Sequence, residues 1–259
     1  MEKILGVIPA RYASTRFEGK PLKLIDGKPM IEWVYKRAKN ANIDKLVVAT
    51  DDKRIYDTVI SFGGEAVMTS ENHENGTGRI IEVINNSEYS KYDFVINIQG
   101  DEPLIDIDSI NKIANNYREE KSEIITLKKE IKEESELLTP NVVKVITDFF
   151  DNAIYFSRYA IPFKRDALEG FKYYKHIGIY GYTTKFLNEL KNLKNGLLEQ
   201  MESLEQLKFI ENGYKIKVIE TETNVIGVDT AEDLKLVNEY VKNNNIILKI
   251  LKGIKWKME

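Results

Sequence analysis

Short apolar runs alternate with segments of helical periodicity through the first part of the chain. Residues 4–8, 45–49, 65–68 and 94–98 predict strands, and residues 30–41, 54–62 and 79–84 predict helices. Strands that are apolar throughout are typical of parallel sheets with both faces covered. The pattern therefore predicts an α/β fold with a mainly parallel central sheet and helices on both faces. Because ligands of such sheets bind beyond the carboxyl ends of the strands, the residues that follow each strand are the first functional candidates.

The second half of the sequence has a less regular pattern. Residues 142–147, 175–182 and 215–220 predict strands, residues 197–210 and 230–241 predict helices, and the aromatic segment 153–159 is a candidate cover for a cleft. Asp229 or Thr230 is expected to cap the helix that begins at residue 230. We expect one domain over residues 1–242, with an insertion near residues 150–175 that forms a lid or a dimer contact. Residues 243–259 form a C-terminal tail with no assigned role.

Composition narrows the chemistry that this chain can perform. Among its 259 residues there is no cysteine and there are only two histidines, His73 and His176. These counts exclude a thiol nucleophile, an iron–sulfur cluster, disulfides and a three-histidine metal site. Carboxylates, lysine and arginine remain, and these suit magnesium and phosphate.

Charge and hydropathy bear on partners and location. The formal net charge is −3, so no general positive field favours nucleic acid. No stretch approaches the roughly 20 apolar residues of a membrane span, and the first residues lack the apolar core of a signal peptide. We expect a cytoplasmic protein with no nucleic-acid or membrane partner.

The loop after the first strand, residues 9–22, is rich in cations and hydroxyl groups. Arginine forks, a lysine charge and hydroxyl donors are well suited to a polyphosphate. The loop is not a Walker motif, because Lys20 is followed by Pro21 where Ser or Thr is required. A basic solvated loop is the alternative interpretation, but the position directly after the first strand favours phosphate binding.

Two aspartates follow later strands. Asp101 lies in the segment Gln99-Gly100-Asp101 after the strand at residues 94–98, and Asp229 precedes the helix at residues 230–241. Each has an ordinary alternative role, since Gly-Asp is a common turn pair and Asp229 suits a helix N-cap. Because magnesium needs few protein carboxylates beside phosphate oxygens and water, the two aspartates suffice as its protein ligands.

Two further segments carry polar groups. The turn at residues 73–79 precedes a helix, where backbone amides and Arg79 suit a phosphate or a base carbonyl, although an ordinary capped loop explains it equally well. His176 alternates with apolar residues and is expected to share a strand face with Gly178 and Tyr180. A lone histidine of this kind is more often structural than catalytic.

Together these segments resemble the 3-deoxy-manno-octulosonate cytidylyltransferase (CMP-KDO synthetase) family over about residues 3–240. The resemblance is carried by residues 9–16, 19–22, 48–52, 76–79, 99–103, 141–144, 155–158, 176–182, 204–207 and 227–230. It implies a nucleotide-diphospho-sugar transferase (Rossmann-like) fold and the reaction of CTP with KDO to give CMP-KDO and pyrophosphate. It also implies a magnesium cofactor, a homodimer and a role in supplying lipopolysaccharide or capsule synthesis.

The resemblance also implies roles for individual residues. Arg11, Lys20, Asp101 and Asp229 are the expected catalytic residues, and the two aspartates are the expected metal ligands. Nucleotide binding is expected from Arg11, Ser14, Lys20, Gly76, Thr77, Arg79 and Asp101, with Arg79 and its turn facing cytosine. Sugar-acid binding is expected from Gln99, Arg158, His176, Tyr180, Glu205 and Gln206.

One position departs from the family pattern. Gly78 stands between Thr77 and Arg79, where the family usually has an acidic residue. This leaves three alternatives open: the same chemistry on another ulosonic acid (8-amino KDO or a nonulosonic acid), a silent sugar-nucleotide binding protein, or a nicotinamide oxidoreductase. The missing glycine fingerprint argues against the last.

Overall fold

A computed structural model describes residues 2–13, 17–73, 75–166, 168–223 and 227–255, with side chains placed up to residue 244. The strands are β1 (Ile4–Ala10), β2 (Leu24–Ile25), β3 (Lys28–Pro29), β4 (Lys45–Thr50), β5 (Ala66–Met68), β6 (Phe94–Asn97), β7 (Ile124–Glu130), β8 (Lys144–Thr147), β9 (Ala153–Ser157), β10 (Tyr174–Thr183) and β11 (Lys217–Glu220). The α-helices are α1 (Met30–Ala38), α2 (Lys53–Ser61), α3 (Gly76–Asn85), α4 (Ile107–Glu120), α5 (Glu134–Leu138), α6 (Thr184–Glu189), α7 (Leu197–Glu202), α8 (Glu205–Glu211) and α9 (Ala231–Lys255). Short 3-10 turns span Lys20–Leu22 and Leu190–Asn192.

The main sheet has the strand order β11-β7-β10-β6-β1-β4-β5. Pairs β1/β4, β1/β6, β4/β5 and β7/β11 are parallel, whereas β10 is antiparallel to both β6 and β7. β8 pairs with β10 and β9, so these two strands extend the sheet off its main path. The prediction of a mainly parallel α/β sheet is therefore confirmed, with one antiparallel strand in its middle.

Helices cover both faces of this sheet because their apolar residues recur at helical spacing. On one face, α1 contributes Ile31, Val34 and Ala38 to a core that also takes side chains of α2 and α4. On the other face, the core contains side chains of α3, α6 and α8. The strands between these two layers are almost entirely buried, as their sequences predict.

The helix predicted at residues 197–210 is two helices. Ser203 adopts a left-handed conformation with φ 52°, and Leu204 is extended, so α7 ends before α8 begins. Apolar periodicity continues across both residues, which is why the sequence pattern does not reveal the break. The break matters for the site because it places Glu205 in the first turn of α8.

The C-terminal tail is not a separate element. α9 runs without interruption from Ala231 to Lys255 and includes most of the tail that was expected at residues 243–259. Its first half packs on a small third core through Val237 and Val241, against Ile25 and Met30. This contact fixes the start of α9, and with it the position of Asp229.

Candidate active site

A polar cavity of about 370 Å³ lies beyond the carboxyl ends of β1 and β6. It is lined by Pro9, Ala10, Arg11, Lys20, Pro21, Asn75, Gly76, Thr77, Arg79, Asn97, Gln99, Gly100, Asp101, Glu205 and Asp229. The carboxyl edge of a largely parallel sheet is where α/β proteins bind ligands. The structure thus brings the loop after β1, the turn after β6, the start of α3, the start of α8 and Asp229 around one space.

Lys20 reaches this space because the loop after β1 folds back on itself. The Gly19 amide donates to the Tyr12 carbonyl oxygen at 2.9 Å, and Gly19 has a φ of 66°, a conformation that favours glycine. The Tyr12 ring is also covered by the Arg54 guanidinium, 3.3 Å from the ring centre. Lys20 then begins a short 3-10 turn, and its side chain is mostly buried. Ser14 lies outside the described residues.

The Lys20 ammonium joins the two aspartates that the sequence singled out. Its Nζ atom lies 2.7 Å from Asp101 Oδ2 and 3.1 Å from Asp229 Oδ1. The two carboxylates come from distant parts of the chain, and the Val228 amide holds them in register by donating to the Asp101 carbonyl oxygen at 2.9 Å. Two carboxylates within reach of one cation make a cation-binding edge of the cleft.

Asp229 leaves the helix cap to its neighbour. The Asp233 amide donates to Thr230 Oγ1 at 3.1 Å, and Asp233 Oδ2 accepts from the Asp229 and Thr230 amides at 3.0 and 2.9 Å. Thr230 and Asp233 therefore form a reciprocal cap at the start of α9. Of the two capping residues considered, Thr230 is the cap, and the Asp229 carboxylate points to Lys20 instead.

Gly100 is required by a close approach. A Cβ atom at this position would lie 2.9 Å from the Pro9 carbonyl oxygen, so no larger residue fits without moving the backbone of β1. This close contact, and not a positive φ, is what the turn after β6 demands of Gly100. It brings Asp101 against the end of β1, beside the phosphate loop.

Two buried polar groups beneath the cleft were missed by sequence reasoning. Asn97 and Glu102 are each 8% exposed, and Asn97 Oδ1 and Glu102 Oε2 have no hydrogen-bond partner in the described residues. Burial, with a smaller effect of Asp101, raises the pKa of Glu102 to about 8. Asn97 lines the cavity two residues before Gln99, and this period-two spacing was the available signal.

The start of α3 forms the opposite wall. Asn75 caps the helix by accepting from the Gly78 amide at 2.9 Å, and Gly76 and Thr77 line the cavity. Arg79 is only 2% exposed. Its guanidinium donates to Asp51 Oδ2 at 2.6 Å, to the Thr69 hydroxyl and to the Ser70 carbonyl oxygen. Arg79 thus anchors the turn after β4 to α3, and its expected contact with cytosine stays a prediction.

His73 fills the space beside Gly78. A Cβ atom on Gly78 would lie 3.1 Å from His73 Nδ1, and His73 Nε2 makes a short contact with Glu82 Oε2. Glu82 also accepts from the Ser70 amide at 2.9 Å, and its pKa is lowered because these bonds and the His73 charge outweigh the opposing effect of burial, the largest single influence. The imidazole therefore occupies the room that an acidic side chain at position 78 would use.

Glu205 links this wall to α8. Its carboxylate accepts from Thr77 Oγ1 at 3.0 Å and from Asn75 Nδ2 at 3.2 Å. Burial raises the pKa of Glu205, and the Thr77 hydrogen bond opposes that rise. Gln206 follows it and is buried, while Gln99 Nε2 donates to the Gly178 carbonyl oxygen at 3.1 Å across the cleft floor.

His176 and Tyr180 share a face of β10, as the sequence alternation predicted. Their ring centres are 5.3 Å apart, and a bulge between Ile177 and Tyr180 takes up Gly178. His176 Nε2 lies 3.0 Å from Thr126 Oγ1, and burial lowers the pKa of His176 to about 3. The imidazole is consequently neutral over the physiological pH range. Neither ring lines the main cavity.

Arg158 also lies away from the main cavity. Its Nε donates to the Glu202 carbonyl oxygen at 2.8 Å, and its Nη1 donates to the Pro140 carbonyl oxygen at 3.1 Å. The Glu202 carboxylate accepts from the Arg158 amide at 2.9 Å and from Ser157 Oγ at 2.7 Å. Arg158 is therefore joined to the turn between α7 and α8, next to a second hollow that Ser203, Leu204 and Glu205 help to line.

A cation-rich loop after the first strand, facing carboxylates at the carboxyl edge of an α/β sheet, defines a nucleotidyltransferase site. A family model described as cytidylyltransferase matches residues 5–216. The chain belongs to this family and, within it, to the 3-deoxy-manno-octulosonate cytidylyltransferases, since relatives of that name are up to 56% identical to it.

The relatives match over nearly their full length. The 3-deoxy-manno-octulosonate cytidylyltransferase of Fusobacterium nucleatum is 56% identical over 94% of this chain and 99% of its own length. That of Thermodesulfovibrio yellowstonii is 48% identical over 90% of this chain and 96% of its own length.

Solved structures agree with this assignment. A CMP:2-keto-3-deoxy-manno-octonic acid synthetase complexed with CTP is 40% identical, covers 94% of this chain and 100% of its own, and superposes with a TM-score of 0.88. A 4-diphosphocytidyl-2C-methyl-D-erythritol synthase from Anaerococcus prevotii, 18% identical with a TM-score of 0.60, covers 93% of this chain and 99% of its own and shares the fold. Within the described residues, no helix has the length and apolar character needed to cross a membrane.

Proposed function

We propose that this enzyme couples CTP to KDO, releasing pyrophosphate and forming CMP-KDO. The observation that carries the proposal is the Lys20 ammonium held between Asp101 and Asp229, at 2.7 and 3.1 Å, in a cleft at the carboxyl edge of the sheet. The 40% identical synthetase complexed with CTP supports the choice of nucleotide, and the names of the relatives support the choice of sugar acid.

The reaction is an in-line displacement. The anomeric 2-hydroxyl of the sugar acid attacks the α-phosphorus of CTP, a new phosphorus–oxygen bond forms, and the bond from the α-phosphorus to the bridging oxygen breaks. Pyrophosphate leaves with the bonding electrons, and the hydroxyl proton passes to solvent. Lys20 and Arg11 line the cleft and neutralise the charge that grows on the leaving group.

Magnesium fits the donor set at this edge of the cleft. Asp101 and Asp229 already share one cation, the Lys20 ammonium, so a second cation in their reach is electrostatically favoured. Across the described part of the chain no cluster of three or more acidic or histidine side chains could hold a metal, which suits an ion completed by phosphate oxygens and water. When bound by these two aspartates, magnesium would act as a Lewis acid at the phosphate.

The remaining wall residues divide between the two substrates. Gly76 and Thr77, with Arg79 behind them, form the base side at the start of α3, and Ser14 joins the triphosphate loop. Gln99 and Glu205 line the cavity on the side that leads to β10 and α8, which supports a sugar-acid role for them. His176, Tyr180, Arg158 and Gln206 are assigned to the same side, behind or beside Glu205.

We further propose a homodimer formed through the segment after β8. Large apolar side chains are exposed there, among them Phe149, Phe150, Tyr159 and Phe163. Clusters of exposed apolar groups of this size are typical of protein interfaces. A cytoplasmic location and a role in supplying lipopolysaccharide or capsule synthesis follow from the proposed product.

A pyrophosphate-release assay tests the proposal. Each nucleoside triphosphate is offered with KDO, 8-amino KDO and a nonulosonic acid, and release is expected with CTP and KDO. Release with another sugar acid alone would transfer the function to that acid, because the phosphate chemistry would be unchanged. Binding of CTP without release under any combination would overturn the enzyme assignment.

A further inference from the structure

Lys144, the first residue of β8, is completely buried in the sheet. Its Nζ atom donates to the Val142 carbonyl oxygen at 2.7 Å, to the Thr139 carbonyl oxygen at 3.0 Å and, in a shorter contact, to the Arg158 carbonyl oxygen. An ammonium has three N–H donors, and all three have an acceptor here. The side chain thus ties two separate segments of backbone to β8.

This arrangement carries a charge where a hydrophobic residue would usually stand. Burying an ammonium is unfavourable unless its donors are all satisfied, and burial accordingly lowers the pKa of Lys144. The acceptors are backbone carbonyl oxygens and not a carboxylate, so the ammonium serves to hold backbone in place.

The held segments surround Arg158. Lys144 fixes the carbonyl groups on both sides of Pro140, and the Arg158 guanidinium donates to the Pro140 carbonyl oxygen itself at 3.1 Å. Lys144 also fixes the backbone of Arg158 directly. The Arg158 side chain and main chain are therefore both positioned through contacts that begin at one ammonium.

Arg158 in turn holds the turn that leads into the cleft. It donates to the Glu202 carbonyl oxygen at 2.8 Å, and its amide donates to the Glu202 carboxylate at 2.9 Å. Glu205, which lines the cavity, begins α8 directly after this turn. A chain of contacts thus runs from Lys144 through Arg158 to the sugar-acid wall, with no contact to the triphosphate loop.

We propose that Lys144 is a positioning residue for the sugar-acid side of the cleft, acting through Arg158 and the turn at Glu202. This inference rests on the function proposed above. Its consequence is selective, because loss of the ammonium loosens one wall of the cleft and leaves Lys20, Asp101 and Asp229 in place.

The first experiment compares kinetic constants in the full-length enzyme. Lys144→Met is expected to raise the KM for the sugar acid by about tenfold or more, while the KM for CTP stays within about twofold of wild type. Lys217→Met is the matched control, since the Lys217 ammonium also binds a carbonyl oxygen, that of Phe150 at 3.1 Å, but lies on β11. Equal rises in both KM values, or unchanged KM values with a lowered Tm, would overturn the inference.

The absence of cysteine permits a chemical rescue. Lys144→Cys, unfolded in denaturant, treated with 2-bromoethylamine and refolded, acquires a thioether side chain that ends in an ammonium at nearly the length of lysine. The treated variant is expected to recover most of the sugar-acid KM, and the untreated variant, carried through the same unfolding, is not. If both behave alike, the ammonium has no positioning role.

Hydrogen exchange separates this inference from the proposed function. In Lys144→Met, or in Lys144→Gln if the first variant does not fold, backbone amides of residues 139–143 and 157–160 should exchange faster than in wild type and in Lys217→Met. Unchanged exchange there would overturn the positioning role even in an active enzyme. A wild-type protein inactive with CTP and KDO would instead overturn the proposed function, and the exchange result would still decide what Lys144 holds.

Discussion

The Lys20 ammonium lies 2.7 Å from Asp101 Oδ2, although the two residues are 81 positions apart in the chain. The contact depends on two backbone features: the left-handed Gly19 that aims Lys20, and the close approach of Gly100 to Pro9 that places Asp101. Because Asp229 joins the same ammonium at 3.1 Å, the three side chains form one charged unit at the carboxyl edge of the sheet.

Asp101→Ala is expected to reduce turnover by at least about 10²–10³, because the proposed metal site loses one of its two carboxylates. The protein should remain folded, since Asp101 is partly exposed and its main-chain bond to Val228 does not need the side chain. The measurement is kcat with CTP and KDO in magnesium, beside the Tm of the same preparation. Wild-type turnover in this variant would remove Asp101 from the metal site.

Lys20→Met is expected to lower kcat by about 10²–10³, because a positive charge that stabilises the leaving pyrophosphate is lost. Lys23→Met is the control from the same turn, since the Lys23 ammonium lies 5.2 Å from the Phe17 ring centre, and Lys23 is absent from the cavity lining. Pyrophosphate release by the two variants is compared at saturating CTP. Equal activities would show that Lys20 does not act on the phosphates.

Gly78→Asp is expected to destabilise the fold by about 1–3 kcal/mol, because its Cβ atom would press on His73 Nδ1 at 3.1 Å. In a His73→Ala background the same substitution should destabilise less, since the obstacle is gone. Urea unfolding of the four proteins gives the coupling, which should exceed about 0.5 kcal/mol. Additive effects would mean that His73 does not occupy the space of the absent acidic side chain.

His176 should make the folded protein sensitive to acid. Its pKa is about 3 when folded and 6.5 in the ordinary reference state, so below pH 6.5 only the unfolded chain takes up the proton. Stability is therefore lost as pH falls from 6.5 toward 3, with a slope of at most about 1.4 kcal/mol per pH unit from this group. The Tm of wild type should fall more between pH 7.5 and pH 5 than that of His176→Gln. Equal falls would contradict the burial of a neutral imidazole.

Apolar periodicity predicted the strands and helices around the cleft well, because each has one clear period and a recognisable end. It did not predict the break at Ser203, where the apolar pattern continues although the backbone turns to φ 52°. Nor did it predict that β10 is antiparallel, because the direction of a strand leaves no trace in its own sequence.

The candidate site divides in a similar way. Lys20, Asp101 and Asp229 follow strands or precede a helix, so their meeting could be anticipated from the position of ligands in α/β sheets. Lys144 and Asn97 could not, because their importance comes from burial and from partners far away in the chain. Arg79 suited a ligand contact by its place at a helix start, yet its guanidinium is bound to Asp51 and Thr69.

The most direct test of the central claim is to follow the phosphorus nuclei by NMR while the enzyme turns over CTP with KDO. The account predicts that the triphosphate signals disappear while one phosphodiester signal and inorganic pyrophosphate appear in equimolar amounts, only when both substrates are present. Appearance of inorganic phosphate, or of pyrophosphate without a phosphodiester, would contradict transfer of the cytidylyl group to the sugar acid.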